Sequence, residues 1–522
     1  MLGDVAPRDR GLADAGRSIE VKEAGHVQLL RQVDNLFRLS HVPPSTTGLG
    51  GGGLAAGRGL GLLYGLAHHT ISGETMRLAH LSTARARVGI AAVAVLAICA
   101  TLLPMGAAAA AERRPDGFSG YAFDARCAPT QEQMDAWLTS SPFSGVGIYI
   151  GGSMASCRPT ASDPGQPHLD ATWVARQRAG GWRLLPIWAG PQAACHTLYG
   201  DLIDANPAGS YAAADARGRA EAAAAVARAQ QLGLPASSTL WYDLEGGYDV
   251  TNDDCRRSAL RFLSGWTSAL HDLGYRSGVY SSVSAGIHAL DNADNLSPGS
   301  YVMPDHVWYA WYNGRADVAI DPQWVRPSSW EGQRVHQYEA HTSATYGGVS
   351  LTIDRNFMEI DGGAQPPRST RLCGRTRVDF RTYPRLKPGS RGVRTKTLQC
   401  VLRKNARYRG KLDGQFDRGV LKAVRTFQRR HDLRVTGRAD AATWTALFAK
   451  GSTPMLKVGA AGQPALRLQR SLRAAGFRSV KPTGVVTDRT ATAVRRLQQR
   501  LGLDATGVVT ADTWSALQHG RR

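Results

Sequence analysis

The last third of the chain is nearly empty of acid. Residues 366–522 hold 8 Asp+Glu against 35 Lys+Arg, a local charge of +27, while the remainder holds 34 acids against 28 bases. The net charge of +21 therefore belongs to the tail. Such a charge favours an anionic polymer surface, with a merely solvated basic face as the plain alternative. Aromatic-studded strands and base-reading motifs are also missing there, which argues against nucleic acid.

Cysteine is scarce and unclustered. The seven are Cys99, Cys127, Cys157, Cys195, Cys255, Cys373 and Cys400, with no CxxC and no Cys/His ligand spacing. That spacing argues against structural zinc, and no cofactor is expected. Cys99 lies in an apolar run, residues 88–105, that carries no charge. Arg77, His80, Arg85 and Arg87 precede that run and small residues at 107–111 follow it. This is the layout of a secretory signal peptide over residues 76–111, read as cleaved, leaving no stable membrane anchor. The competing reading is an uncleaved anchor of marginal length. No Arg-Arg pair precedes the run, so a twin-arginine route has no support. With Cys99 removed, six cysteines remain for an oxidising space. Cys373 with Cys400 is the favoured pair; Cys127–Cys157 and Cys195–Cys255 are preferred over other pairings in the first part. Residues 1–75 include a stretch, 48–53, that is almost all glycine and show weak periodicity. They read as a mis-called extension before a start at Met76, or as a disordered segment.

From residue 120 the pattern changes to short apolar runs at 120–124, 145–151, 182–189, 239–245, 277–281, 307–312, 335–338 and 351–356. Amphipathic stretches at 130–139, 171–179, 213–231 and 255–273 separate several of them. The third is nearly pure Ala, Glu and Arg, which favours helix, and Gly233 and Gly274 stand where C-caps belong. Eight strands alternating with helices over roughly 240 residues predict a (β/α)8 TIM-type barrel at 118–362. An open doubly wound sheet is the alternative, and no GxGxxG loop supports it.

Chemistry in such barrels collects at the C-terminal strand ends. Asp124 ends run one, Asp243 and Glu245 end run four, and Asp354 ends run eight. Asp243 and Glu245 are two apart, so both point to one face. Glycoside hydrolysis needs one protonated and one ionised carboxyl, and crowding raises the pKa of one of them. Glu245 is the expected general acid, with Asp243, Asp124 and Asp354 as ionised partners. Caps and salt bridges are the competing explanation. A metal site is the poorer one, since only His336 accompanies the acids. Aromatics suit sugar faces, and Tyr280, Trp311, Gln337 and Tyr338 are the expected substrate-binding residues.

At these residues the sequence resembles a known group. Gly120-Tyr-Ala-Phe-Asp124, Gly145-Val-Gly-Ile-Tyr-Ile-Gly-Gly152, Tyr242-Asp-Leu-Glu245, Gly278-Val-Tyr-Ser-Ser282 and Ile353-Asp-Arg-Asn356 look like the actinobacterial glycoside-hydrolase-like domain of unknown function. That domain is similar to the family-25 lysozymes. The resemblance implies the barrel and places the acids of that pattern on Asp124, Asp243, Glu245 and Asp354. It implies site more firmly than activity. Cys127 and Cys157 depart from the family-25 pattern in loops that border the cleft, which leaves the substrate open.

The tail repeats itself with an offset of 70: Leu386, Gly389, Gln399, Val424, Gln428, Gly437 and Trp444 match Leu456, Gly459, Gln469, Val494, Gln498, Gly507 and Trp514. Agreement without drift marks a duplication. Each unit, 385–450 and 451–519, reads as three short helices, with Asp440 and Thr510 as caps of the third and the tryptophans as core. A linker fills 363–384. The pattern resembles the three-helix peptidoglycan-binding repeat, although Val420 stands where that repeat usually has Thr. Two weak modules on one chain raise avidity for a repeating polymer. The expectation is a secreted, wall-associated, muramidase-like hydrolase whose partner is peptidoglycan or wall polysaccharide. The alternative is a wall protein whose barrel binds glycan without cutting it.

Overall fold

A computed structural model of the chain describes residues 117–157 and 165–522. The extension and signal-peptide readings lie outside the described residues. Eight strands close into a barrel in chain order: β1 Phe118–Ala125, β2 Gly145–Gly151, β3 Arg183–Trp188, β4 Thr239–Asp243, β5 Arg276–Ser282, β6 His306–Ala310, β7 Arg334–Tyr346 and β8 Val349–Ile360. Neighbours from β1 to β7 are parallel. The eighth departs from the (β/α)8 pattern expected above, in which every strand is parallel: β8 runs antiparallel to both β7 and β1.

The cause is local. Tyr346 pairs with Val349, and the two residues between them, Gly347 and Gly348, both have positive φ, +58° and +80°. That is the backbone of a two-residue hairpin turn, which leaves no room for a crossover helix. Asp354 therefore stands mid-strand in β8, not at a C-terminal end. It still reaches the level of Asp124 because the antiparallel register pairs the two directly.

Helices α1 Gln131–Ser140, α2 Ala171–Gly180, α3 Ala212–Gln231 and α4 Asp253–Asp272 cover the early strands, followed by the short α5 Gly286–Asp291 and α6 Ala293–Leu296. Thr130 and Gln133 form a reciprocal cap on α1, and Asn252 caps α4 through the Cys255 N–H. Gly233 and Gly274 follow α3 and α4 with φ of +70° and +79°, as helix-ending glycines should. The small residues of α3 let it lie close on α4. A Cβ on Gly218 would sit 2.1 Å from the Phe262 carbonyl oxygen, and one on Gly265 would sit 2.3 Å from that of Asp215. Disulfides join Cys127–Cys157, Cys195–Cys255 and Cys373–Cys400.

The tail forms two bundles of three helices: α7 Val393–Asn405, α8 Arg418–Arg430 and α9 Ala441–Ala449, then α10 Gln463–Ala474, α11 Asp488–Leu501 and α12 Ala511–Gln518. The matched glutamines explain the duplication physically. Gln399 accepts from Gly414 N–H and donates to the Gln415 carbonyl; Gln469 does the same to Gly484 and Val485. Gln428 and Gln498 clamp Gly437–Arg438 and Gly507–Val508 in the same way. Each buried amide thus satisfies a turn that no regular element could. Trp444 and Trp514 are fully buried and donate to the Pro384 and Pro454 carbonyls, 70 residues apart. Asp440 caps α9 through Thr443 N–H; Thr510 holds the cap position of α12 without a side-chain bond. Among the described residues no helix is long and apolar enough to cross a membrane.

Candidate active site

Strand alternation decides which side chains enter the barrel. The lower lumen is filled by Phe118, Ala122, Leu185, Ile187, Trp241, Trp308, Val335 and Met358. Above this plug the inward positions turn polar: Asp124, Asp243 and Gln337 stand two residues after Ala122, Trp241 and Val335, Asn356 and Asp354 stand two and four before Met358 on the reversed β8, and Tyr149 on β2 and Tyr280 on β5 complete the ring. Gly147 makes the space, since a Cβ there would lie 2.6 Å from the Asp124 Cβ and 2.8 Å from the Trp308 ring.

Gln337 and Asn356 organise the carboxylates. The Gln337 amide donates to Asp124 Oδ2 at 3.2 Å and to Asp354 Oδ2 at 3.3 Å. Its oxygen accepts from Tyr280 Oη at 2.8 Å and Tyr312 Oη at 3.0 Å. Asn356, fully buried, donates to Asp124 Oδ2 at 2.7 Å and accepts from Trp308 Nε1 at 2.7 Å. Asp354 Oδ1 accepts from the His341 N–H at 2.5 Å. Across the mouth, Asp243 Oδ2 accepts from Tyr149 Oη at 3.0 Å, while its other oxygen is buried with no hydrogen-bond partner. Gln192 fixes the turn that carries Glu245: it accepts from the Glu245 N–H at 2.7 Å and donates to the Asp243 carbonyl at 2.9 Å.

Burial drives the electrostatics. The Asp124 carboxyl is held well above the usual range by desolvation and by Asp354 beside it, against the pull of the Asn356 and Gln337 amides. Asp243 is raised by desolvation and by Glu245, with Tyr149 opposing. Glu245 is pushed up to about 7 by desolvation and by Asp354. Among the described residues no Lys or Arg pairs with Asp124, Asp243 or Glu245, so the cluster cannot be fully ionised near neutral pH. Among the described residues, no three His, Cys, Asp or Glu side chains are grouped to hold a metal ion.

The four acids, Tyr280 and Gln337 thus meet at one mouth. Trp311 and Tyr338 do not, and their expected place on the cleft is corrected. Each is one residue out of phase with an inward neighbour. Trp311 turns outward to stack near His336, and Tyr338, 6% exposed, also packs on the outer wall beside the His336 ring. Tyr312, next to Trp311, is the aromatic that reaches the site, and 43% of its surface is open. Tyr149 and Asn356 also belong to it. Counting by twos inward from Trp308 would have found Tyr312. Nothing local marked Gln192.

Residues 135–358 match the Rv2525c-like, glycoside hydrolase-like domain, and residues 391–447 and 462–517 each match the putative peptidoglycan binding domain. The chain carries one glycoside hydrolase-like barrel followed by two peptidoglycan-binding repeats. No curated protein matches it. Solved structures similar to it include an uncharacterized protein of B. stearothermophilus, at 19% identity over 45% of this chain and 94% of that one, with a TM-score of 0.29. The modular autolysin LytC from Streptococcus pneumoniae shows 14% identity over 46% of each chain, TM-score 0.29. GHIP, a glycosyl hydrolase 25 of Streptococcus pneumoniae, shows 14% identity over 45% and 86%, TM-score 0.27.

Proposed function

We propose that this is a secreted, wall-associated glycoside hydrolase that cuts peptidoglycan glycan in the manner of a muramidase. The observation that carries the reading is the unequal supply of donors to four clustered carboxyls. Asp124 accepts two amide bonds, Asp354 an amide and a backbone N–H, and Asp243 a phenol. Glu245 accepts no side-chain hydrogen bond among the described residues and is raised to about 7. Hydrogen bonds to a carboxylate favour the anion. Burial raises Asp124 and Asp243 as well; the proton that serves a leaving oxygen is assigned to Glu245 because it stands at the open mouth with no donor among the described residues committed to its oxygens. The aspartates supply negative charge for the cationic sugar or a base for water. Tyr312 and Tyr280 give the sugar a rim of ring and hydroxyl. The repeats hold the chain on the polymer being cut.

The test is a digest of purified actinobacterial peptidoglycan, with new reducing ends read by mass spectrometry, for wild type and Glu245→Gln. New ends from wild type only, falling as pH rises past about 7, are expected. Pelleting with the wall and no new ends from either protein would sink the hydrolase reading and leave a glycan-binding barrel.

A further inference from the structure

The two repeats do not expose the same face. The loop before α10 is pressed onto the barrel wall. Lys457 Nζ donates to the Phe143 carbonyl at 2.6 Å and lies 4.9 Å from the Trp182 ring. A Cβ on Gly459 would strike the Ser119 carbonyl oxygen at 1.8 Å. Asp488, at the start of α11, accepts from Tyr121 Oη at 2.9 Å. Lys457, Val458 and Gly459 are buried there, while their counterparts 70 residues earlier, Lys387, Pro388 and Gly389, are all exposed.

The chemistry of the two copies has diverged to match. On the first repeat this face carries Lys387, Arg391, Arg418, Lys422, Arg425 and Arg438. The corresponding residues of the second are Lys457, Ala461, Asp488, Thr492, Arg495 and Val508. Six cations have become two cations and an acid. Of these, Lys457 and Val508 are buried, Asp488 meets Tyr121 of the barrel, and Ala461 stays exposed, so the one cation that the second copy buries is placed where the barrel takes its charge up, on the Phe143 carbonyl. Among the described residues the tail's ion pairs are Arg470–Asp379 and His519–Asp432, and neither touches the open face.

We infer that the repeats have divided the work: the second is a bracket that seats the barrel, and the first presents the same face, open, to the stem-peptide carboxylates of peptidoglycan. The inference rests on the wall-directed part of the proposed function, not on catalysis. Six cations without acid partners on one face fit a polymer with regularly spaced carboxylates.

The experiment measures depletion of the full chain, in a Glu245→Gln background so that nothing is digested, by sacculi stripped of phosphodiester polymers. One variant gives the first repeat the residues of the second: Arg391→Ala, Arg418→Asp and Lys422→Thr. The same scaffold already carries those residues at these positions. A control makes the equal charge change elsewhere on the repeat, at Lys404→Thr, Arg429→Ala and Arg430→Asp. We expect the first variant to bind at least about tenfold more weakly and with a shallower salt dependence, and the control to change less than about threefold. Sacculi whose carboxylates are blocked as amides should no longer retain the parent. Equal loss in both variants, no loss in either, or binding that disappears on removal of phosphodiester polymers would overturn the inference. Reducing-end release by the wild type reports separately on hydrolysis, so either reading can fail alone.

Discussion

Replacing Glu245 by Gln should stabilise the barrel, and by an amount that depends on pH. The folded chain keeps a proton on Glu245 up to about 7, whereas the ordinary value is 4.5. A raised carboxyl favours folding only below its unfolded pKa, and that advantage is lost as pH climbs through the folded one. Over this interval the wild type loses about 1.4 kcal/mol per pH unit, or about 3 kcal/mol in all, trimmed toward about 2 by solvent at the mouth. The glutamine variant has no such proton. Its charge is also gone from beside Asp243, whose raised pKa owes its second cause to Glu245. The gap in favour of Glu245→Gln should be near zero at pH 4 and about 2–3 kcal/mol at pH 8.5. For a domain of this size that is about 5–10 °C in Tm. Scanning calorimetry of the barrel transition for both proteins, from pH 4 to 8.5, measures it. A gap that stays flat with pH, or widens toward acid, would refute the claim that Glu245 is buried without charge compensation.

Three further outcomes follow from the same geometry. Asn356→Leu strips Asp124 of its 2.7 Å donor and Trp308 of its acceptor; kcat should fall about 10–100-fold with KM nearly unchanged, at about 1–3 kcal/mol in stability. Steady-state kinetics beside a denaturant titration separates the two effects, and unchanged kcat would remove Asn356 from the support of Asp124. Gly147→Ala forces a Cβ against Asp124 and Trp308; urea unfolding should register about 1–3 kcal/mol of overpacking, and a neutral result would mean the lumen is looser than described. Changing Cys195 and Cys255 to Ser opens a 60-residue loop; the loop-entropy argument gives about 4 kcal/mol of lost stability. The Gln192 turn lies beside that bridge, so turnover should fall with it, and a reduced protein as active and as stable as the oxidised one would contradict this.

The barrel was legible because its strands are short apolar runs set apart by helices with strong end signals, such as Gly233 and Gly274. The reversal of β8 was not read, because an alternating run looks the same in either direction. The sign of it was present in Tyr346-Gly-Gly-Val349, a two-residue glycine link between alternating segments. For the candidate site, the Asp-x-Glu spacing was legible: Asp243 ends β4 and Glu245 stands in the turn just beyond it, close enough for the two carboxyls to influence each other. Trp311 and Tyr338 each stand a single residue out of phase with an inward neighbour. On a strand that one-residue step moves a side chain through the barrel wall. Gln192 was invisible because it acts from a loop whose path is set by tertiary contacts.

The antiparallel closure bears directly on the electrostatics. Residues directly opposite in an antiparallel pair lie about 4.5–5.5 Å apart at Cα, and like charges so placed repel. Asp124 and Asp354 are such a pair. With Asp354 also raising Glu245, and Glu245 raising Asp243, the acids titrate as one set. Repulsion alone would not say which member keeps the proton. On the proposed reading the donors decide it, because Gln337, Asn356, Tyr149 and the His341 N–H are aimed at aspartates and none at Glu245. The placement of two amides and a phenol behind the acids, rather than any property of the glutamate itself, is what would make Glu245 the acid.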